Sequence, residues 1–115
     1  MSKGTIVLVP FPFTDLSGNK VRPCLVLYEQ KNGEDCIVSF ISSVKQKKAS
    51  VHDIKIKATK VNGLKTDSLI KTDKIATLQK KIVLGELGMI EPVLMRAVDT
   101  SLKRIFQLNS SGRLT

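Results

Sequence analysis

The chain has 115 residues, 42% of them hydrophobic, with 19 lysines and arginines against 10 acidic residues and a formal charge of +9. That length supports one modest core and one domain, 1–115, and no apolar run reaches the roughly 20 residues that a membrane helix needs. With no signal-like start either, a cytoplasmic protein without a membrane partner is expected.

Thr5 to Val9 is a run of β-formers, which Pro10 and Pro12 are expected to end by removing backbone donors. Leu16 to Val21, centred on Ser17-Gly18-Asn19, reads as a turn-rich loop, and Leu25 to Tyr28 as a buried second strand. Asn32-Gly33 signals a hairpin leading to a third strand over Cys36 to Ile41. After a lysine-rich loop from Lys45 to Lys48, His52 to Lys57 alternates, with Ile54 and Ile56 on one face and Lys55 and Lys57 on the other, as a half-exposed strand does.

Asn62-Gly63 marks a further turn, Ser68 to Thr72 a short strand, and Leu84 to Ile90 another, with Gly85 and Gly88 as sites of bends or bulges. Pro92 fits the first turn of a helix that aligns Leu94, Val98, Leu102, Ile105 and Phe106, with Arg96, Asp99, Lys103 and Arg104 on its solvated face. The polar tail from Asn109 to Thr115 is expected to fray. Short strands followed by one helix predict a mainly β domain, a small curved antiparallel sheet or barrel closed by a C-terminal helix.

Cys24 and Cys36 lie in apolar runs and read as reduced core thiols. The chain has one histidine, His52, no clustered carboxylates, and no phosphate-binding or dinucleotide fingerprint, so neither a metal nor a cofactor is expected. The positive charge points to an anionic partner, whether nucleic acid, an acidic protein segment or anionic lipid, though no basic amphipathic helix favours lipid; charge kept for solubility is the plainer alternative. RNA brings its own nucleophile, the 2′-hydroxyl. A protein that aligns it with the phosphorus and stabilises the phosphorane needs little more than an arginine and a hydroxyl.

From Gly4 to Leu27 the order G-x-I-V-L-V-P-F-P-F-T-D-L-S-G-x-K-x-R-P-x-L-V-L resembles the MazF/PemK family of toxins from bacterial toxin-antitoxin pairs, which are ribonucleases. The resemblance continues, more thinly after Ser43, into the terminal helix. It implies an SH3-like barrel with a C-terminal helix, assembled as a homodimer. It also implies a sequence-specific, metal-independent endoribonuclease that cuts single-stranded RNA through its 2′-hydroxyl, and a cognate antitoxin whose acidic tail competes for the RNA groove.

By the same resemblance Arg22, of the Arg22-Pro23 pair, is catalytic, and a hydroxyl from Ser42 stands near it, with Ser43 as the neighbour should the alignment slip by one residue. Asp73 matches an acidic position after the fifth strand. RNA contacts are expected from Phe13, Thr14, Asp15 and Lys20 around the first loop, from Ser43 and Lys45 after the third strand, and from Lys71. Some members carry a glutamate in the first loop. The stretch Ser17 to Val21 has no acid, and Asp15 is the nearest carboxylate, which leaves the general base open.

Blander readings stand beside these. Arg22 as a surface arginine, the two serines as strand-end caps, and Asp73 as a turn acceptor are all ordinary roles. Phe11 and Phe13 share a face if extended, which suits base stacking or packing against core or subunit equally. A non-catalytic binding module and a gyrase-directed toxin of the same barrel are the rival functions.

Overall fold

The computed structural model describes residues 1–11, 20–44 and 49–108. The elements run β1 (Thr5–Phe11), β2 (Lys20–Glu29), β3 (Asp35–Ser43), β4 (Asp53–Ile56), β5 (Ser68–Gln79), β6 (Gly85–Met89) and α1 (Pro92–Ile105). The strands form an antiparallel half-barrel in the order β4-β5-β3-β2-β1-β6. Period-two alternation divides the core between its faces. Ile6, Leu25, Ile41, Ile56 and Ile70 pack on the face that α1 covers through Val98, while Val7, Val9, Cys24, Val26, Cys36 and Val38 pack on the other. Among the described residues no helix is long and apolar enough to cross a membrane.

β1 does not stop at Pro10, and β2 begins at Lys20, inside the stretch expected to be loop. The register explains both. Leu8 stands opposite Pro23 and Pro10 opposite Val21, with Val9 opposite Arg22 between them. In an antiparallel pair, hydrogen-bonded and non-bonded positions alternate. Both prolines occupy non-bonded positions, where no donor is called for, and Val9–Arg22 is the bonded pair. The Leu8 carbonyl accordingly turns away from β2 and accepts from the Leu84 N–H at 2.8 Å.

β5 is far longer than the segment Ser68 to Thr72 predicted from its pattern. Along β3, Phe40 pairs with Lys71 but the preceding Ser39 pairs with Ile75, so Thr72, Asp73 and Lys74 bulge out of the ladder. The bulge switches which face each residue takes, and this hides the second half of the strand from a search for continuous alternation. It is pinned at both sides. Ser39 Oγ donates to the Lys71 carbonyl at 2.7 Å, and buried Thr72 Oγ1 lies 2.6 Å from both the His52 carbonyl and Ser101 Oγ on α1.

The expected irregularity in the last strand is present. β6 slips register between Ile6–Gly88 and Val7–Glu86, and a Cβ at Gly88 would lie 2.1 Å from the Val61 carbonyl oxygen. At the Asn62-Gly63 turn, Gly63 has φ +73. Buried Asn62 accepts from the Thr59 and Leu64 N–H groups at 3.0 Å each and donates to Lys57 O at 2.8 Å, and Glu91, just before α1, takes the Thr59 hydroxyl at 2.7 Å. These bonds tie the β4–β5 connection to the start of the helix. Phe106 caps the helix and is exposed, so it lies off the expected apolar stripe. The tail 109–115 falls outside the described residues.

Candidate active site

The site begins where β2 and β3 part. Their pairing ends at Cys24–Phe40, while β2 continues through Pro23 and Arg22 and β3 through Ile41 and Ser42. Pro23 has no N–H to offer β3, which fits the loss of pairing there. The split opens a depression on each face. One, of about 340 Å³, is bordered by Phe11, Arg22, Cys24, Phe40, Ile41, Ser42, Lys71 and Lys74. The other, of about 410 Å³, is bordered by Leu8, Val21, Arg22, Pro23, Ile41, Ser43, Gly63, Leu64, Lys65, Thr66, Ser68 and Leu87. Arg22 borders both.

The choice between the two serines is thereby given a physical form. Adjacent strand residues face opposite ways. Half-buried Ser42 joins Arg22, Lys71 and Lys74 on one face, and Ser43 joins Ser68 and Thr66 on the other. The first groove holds an arginine, two lysines, a hydroxyl and two aromatic rings. Arg22 and Ser42 each lie two residues beyond the Cys24–Phe40 pair.

Arg22 is exposed, and its guanidinium lies 5.6 Å from the centre of the Phe11 ring. Such a cation over an aromatic face is held by about 0.5–1 kcal/mol at an exposed site. The contact gives a long side chain a preferred course without using up its five N–H donors. Exposed Lys20 stands across from Phe11 and so shares the Arg22 face.

Lys71 is held differently. Its Nζ lies 2.9 Å from Asp53 Oδ2, across the β4–β5 ladder. Burial pushes the Asp53 carboxyl up, but hydrogen bonds from Lys71 and Ser50 together with the lysine charge outweigh it and hold the group below the ordinary carboxylate value. Cys24, on the floor of the groove, has its thiol pushed up to about 12, first by burial and then by nearby Cys36, so it is protonated and inert at neutral pH.

Asp73 is exposed on the bulge between the two groove lysines and does not border the groove. His52 contributes its backbone carbonyl to Thr72. Phe13, Thr14, Asp15 and Lys45 lie outside the described residues. Two groove residues and the partner of a third escaped sequence reasoning. Lys74 is brought in by the bulge, Phe40 by its pairing with Cys24, and Asp53 meets Lys71 only through the β4–β5 register. No spacing in the chain announces any of them.

The strands and helix make a small half-barrel whose central strands part around an arginine and a serine. The family model described as PemK-like, MazF-like toxin of type II toxin-antitoxin system matches residues 2–106, and the chain belongs to that family. Among solved structures, an endoribonuclease in complex with its cognate antitoxin from a mycobacterial species aligns with TM-score 0.73 and 19% identity, over 95% of this chain and 97% of the other. The Mycobacterium tuberculosis toxin MazF-mt6 aligns with TM-score 0.73 and 18% identity, over 91% and 98%. A chain of the MazE-MazF structure from Deinococcus radiodurans gives 0.72 and 14%, over 94% and 95%. At such identities the likeness is one of fold. Comparison with curated protein sequences gives no match.

Proposed function

We propose that this toxin is an endoribonuclease that cleaves single-stranded RNA, messenger RNA included, at short recognition sequences. The observation that carries this reading is the groove itself, where Arg22, Ser42, Lys71 and Lys74 border one depression beside Phe11 and Phe40. In the reaction the 2′-oxygen bonds to phosphorus as the bond to the 5′-oxygen breaks, with net transfer of a proton from the first oxygen to the second. The products are a 2′,3′-cyclic phosphate and a 5′-hydroxyl.

Arg22 offers a planar fork of donors to the non-bridging oxygens and keeps its charge at any working pH. Its interaction strengthens as charge builds on the phosphorane, which is the condition for lowering the barrier. Ser42, across the split, supplies a hydroxyl to the same phosphate. The lysines take the flanking charge, and the rings of Phe11 and Phe40 suit unpaired bases. With cationic side chains in these roles, the scheme calls for no metal ion.

The same basic groove fits an acidic antitoxin segment, which would exclude RNA by occupying its phosphate contacts. The relatives solved with an antitoxin support that part of the reading. A homodimer would place two grooves on one particle.

The test is cleavage of a long RNA by purified protein in chelator, with mapping of the new 5′ ends, alongside Arg22→Ala and Ser42→Ala. Cuts at a recurring short sequence, lost in both variants, are expected. Intact RNA with wild type, or normal cutting by both variants, refutes the scheme. Binding without cutting by wild type would instead mark a binding module.

A further inference from the structure

We propose that Asp53 is a positioning residue, fixing Lys71 against the phosphate that Arg22 engages; the inference rests on the ribonuclease reading of this groove. Lysine is normally a point charge on a flexible four-carbon stem. Here it is held at root and tip. The root is held because Ser39 Oγ donates to the Lys71 carbonyl and Thr72 is locked between His52 and Ser101. The tip is held because Asp53, directly opposite on β4, places Oδ2 2.9 Å from Nζ.

The pair is unlike a surface ion pair, whose partners move and are screened. The Asp53 side chain is 0% exposed and that of Lys71 22%. The carboxylate is itself steadied by the Ser50 N–H, which donates to Oδ2 at 2.8 Å, whereas Oδ1 is buried with no hydrogen bond among the described residues. The charge is thus directed at one lysine. An ammonium has three donors. With one taken by Asp53, the others remain for phosphate oxygens in the groove that Lys71 borders with Arg22 and Ser42.

A buried carboxylate beside a phosphate site weakens simple attraction for RNA, because it cancels part of the lysine charge. What it contributes is a cation that need not reorganise as the transition state forms. Positioning and affinity are therefore expected to separate. Asp53→Asn should lower kcat about tenfold or more while KM stays level or falls, since the freed lysine still attracts phosphate.

The experiment measures kcat, KM and melting temperature on one RNA carrying a mapped cut site, for wild type, Arg22→Ala, Asp53→Asn, Lys71→Gln and the Asp53→Asn/Lys71→Gln double variant. Lys71→Gln should lose kcat at least as much as Asp53→Asn, and the double variant should lose no more than Lys71→Gln, because Asp53 acts through the lysine. Losses that multiply in the double variant overturn the proposal. So does wild-type kcat in Asp53→Asn, or a parallel loss of kcat, RNA affinity and melting temperature. Should Asp53→Asn fail to fold, Lys71→Gln decides, and unchanged kcat there overturns the proposal. If wild type leaves the RNA intact, or Arg22→Ala cuts as well as wild type, the ribonuclease reading falls and this inference with it. If wild type cuts, Arg22→Ala does not and Asp53→Asn is unimpaired, the positioning role alone falls.

Discussion

Arg22 on β2 and Ser42 on β3 border one groove, each two residues beyond Cys24 and Phe40, where the pairing of those strands ends. Strands that stayed paired would fill the space between them with a ladder. The break leaves a guanidinium and a hydroxyl bordering one groove, on backbone held by the Val9–Arg22 pair on one side and by β5 on the other.

Because the proposed role of Arg22 depends on its fork of donors as well as its charge, lysine is a poor replacement. Arg22→Ala should lower the rate of RNA cleavage by about 10²–10³-fold, the usual effect of removing a preorganised transition-state donor. Arg22→Lys should still lose about tenfold or more. Both should fold with a stability loss of no more than about 1 kcal/mol, the worth of the exposed Phe11 contact. A fully active Arg22→Lys enzyme would reduce the residue to a simple charge.

The two adjacent serines should behave differently. Ser42→Ala is expected to slow cleavage about tenfold to a hundredfold, and Ser43→Ala to stay within about threefold of wild type, because only Ser42 borders the groove with the lysines. Initial rates on one RNA suffice. The opposite order would move the site to the other face of the split.

Lys74 should contact phosphate in sequence-independent fashion. In an Arg22→Ala background that binds without cutting, Lys74→Ala should weaken RNA binding and make the slope of log affinity against log salt shallower by about 0.7. An unchanged slope would place Lys74 off the RNA path, although it borders the groove.

Gly88→Ala tests the close approach of β6 to the turn before Gly63. A Cβ there would meet backbone, the Val61 carbonyl oxygen at 2.1 Å, and backbone does not yield as a flexible side chain does. Urea unfolding should show a loss of about 2–4 kcal/mol. A loss below about 0.5 kcal/mol would mean that the turn shifts freely.

The Asp53–Lys71 pair predicts a dependence on acidity. Since the folded carboxyl lies below its ordinary value of 3.8, the unfolded chain takes up a proton first as pH falls. The pair's contribution is complete above that ordinary value and disappears as pH falls through the lower folded one. The melting-temperature gap between wild type and Asp53→Asn should be widest near neutrality and should close below pH about 4. A gap that persists unchanged to pH about 3 would show that the charge of Asp53 does not stabilise the fold.

Much of this protein is determined by local pattern. The β-forming apolar runs Thr5–Val9, Leu25–Tyr28 and Cys36–Ile41 mark strands whatever their partners, Pro92 and the apolar stripe through Val98 mark the helix, and Asn62-Gly63 needs the positive φ that Gly63 adopts. The run around Arg22-Pro23 carried the family resemblance as well. Tertiary structure alone decided the rest. The prolines sit inside strands because their register places them at non-bonded positions, and register is a relation between segments. Lys71 and Lys74, three apart, border one groove because a bulge against β3 changes the parity of β5. Asp53 reaches Lys71, eighteen residues on, only across a ladder. Local sequence sets which way each residue prefers to point. Which residues then meet depends on pairings between distant strands, whose energy lies in the assembled sheet.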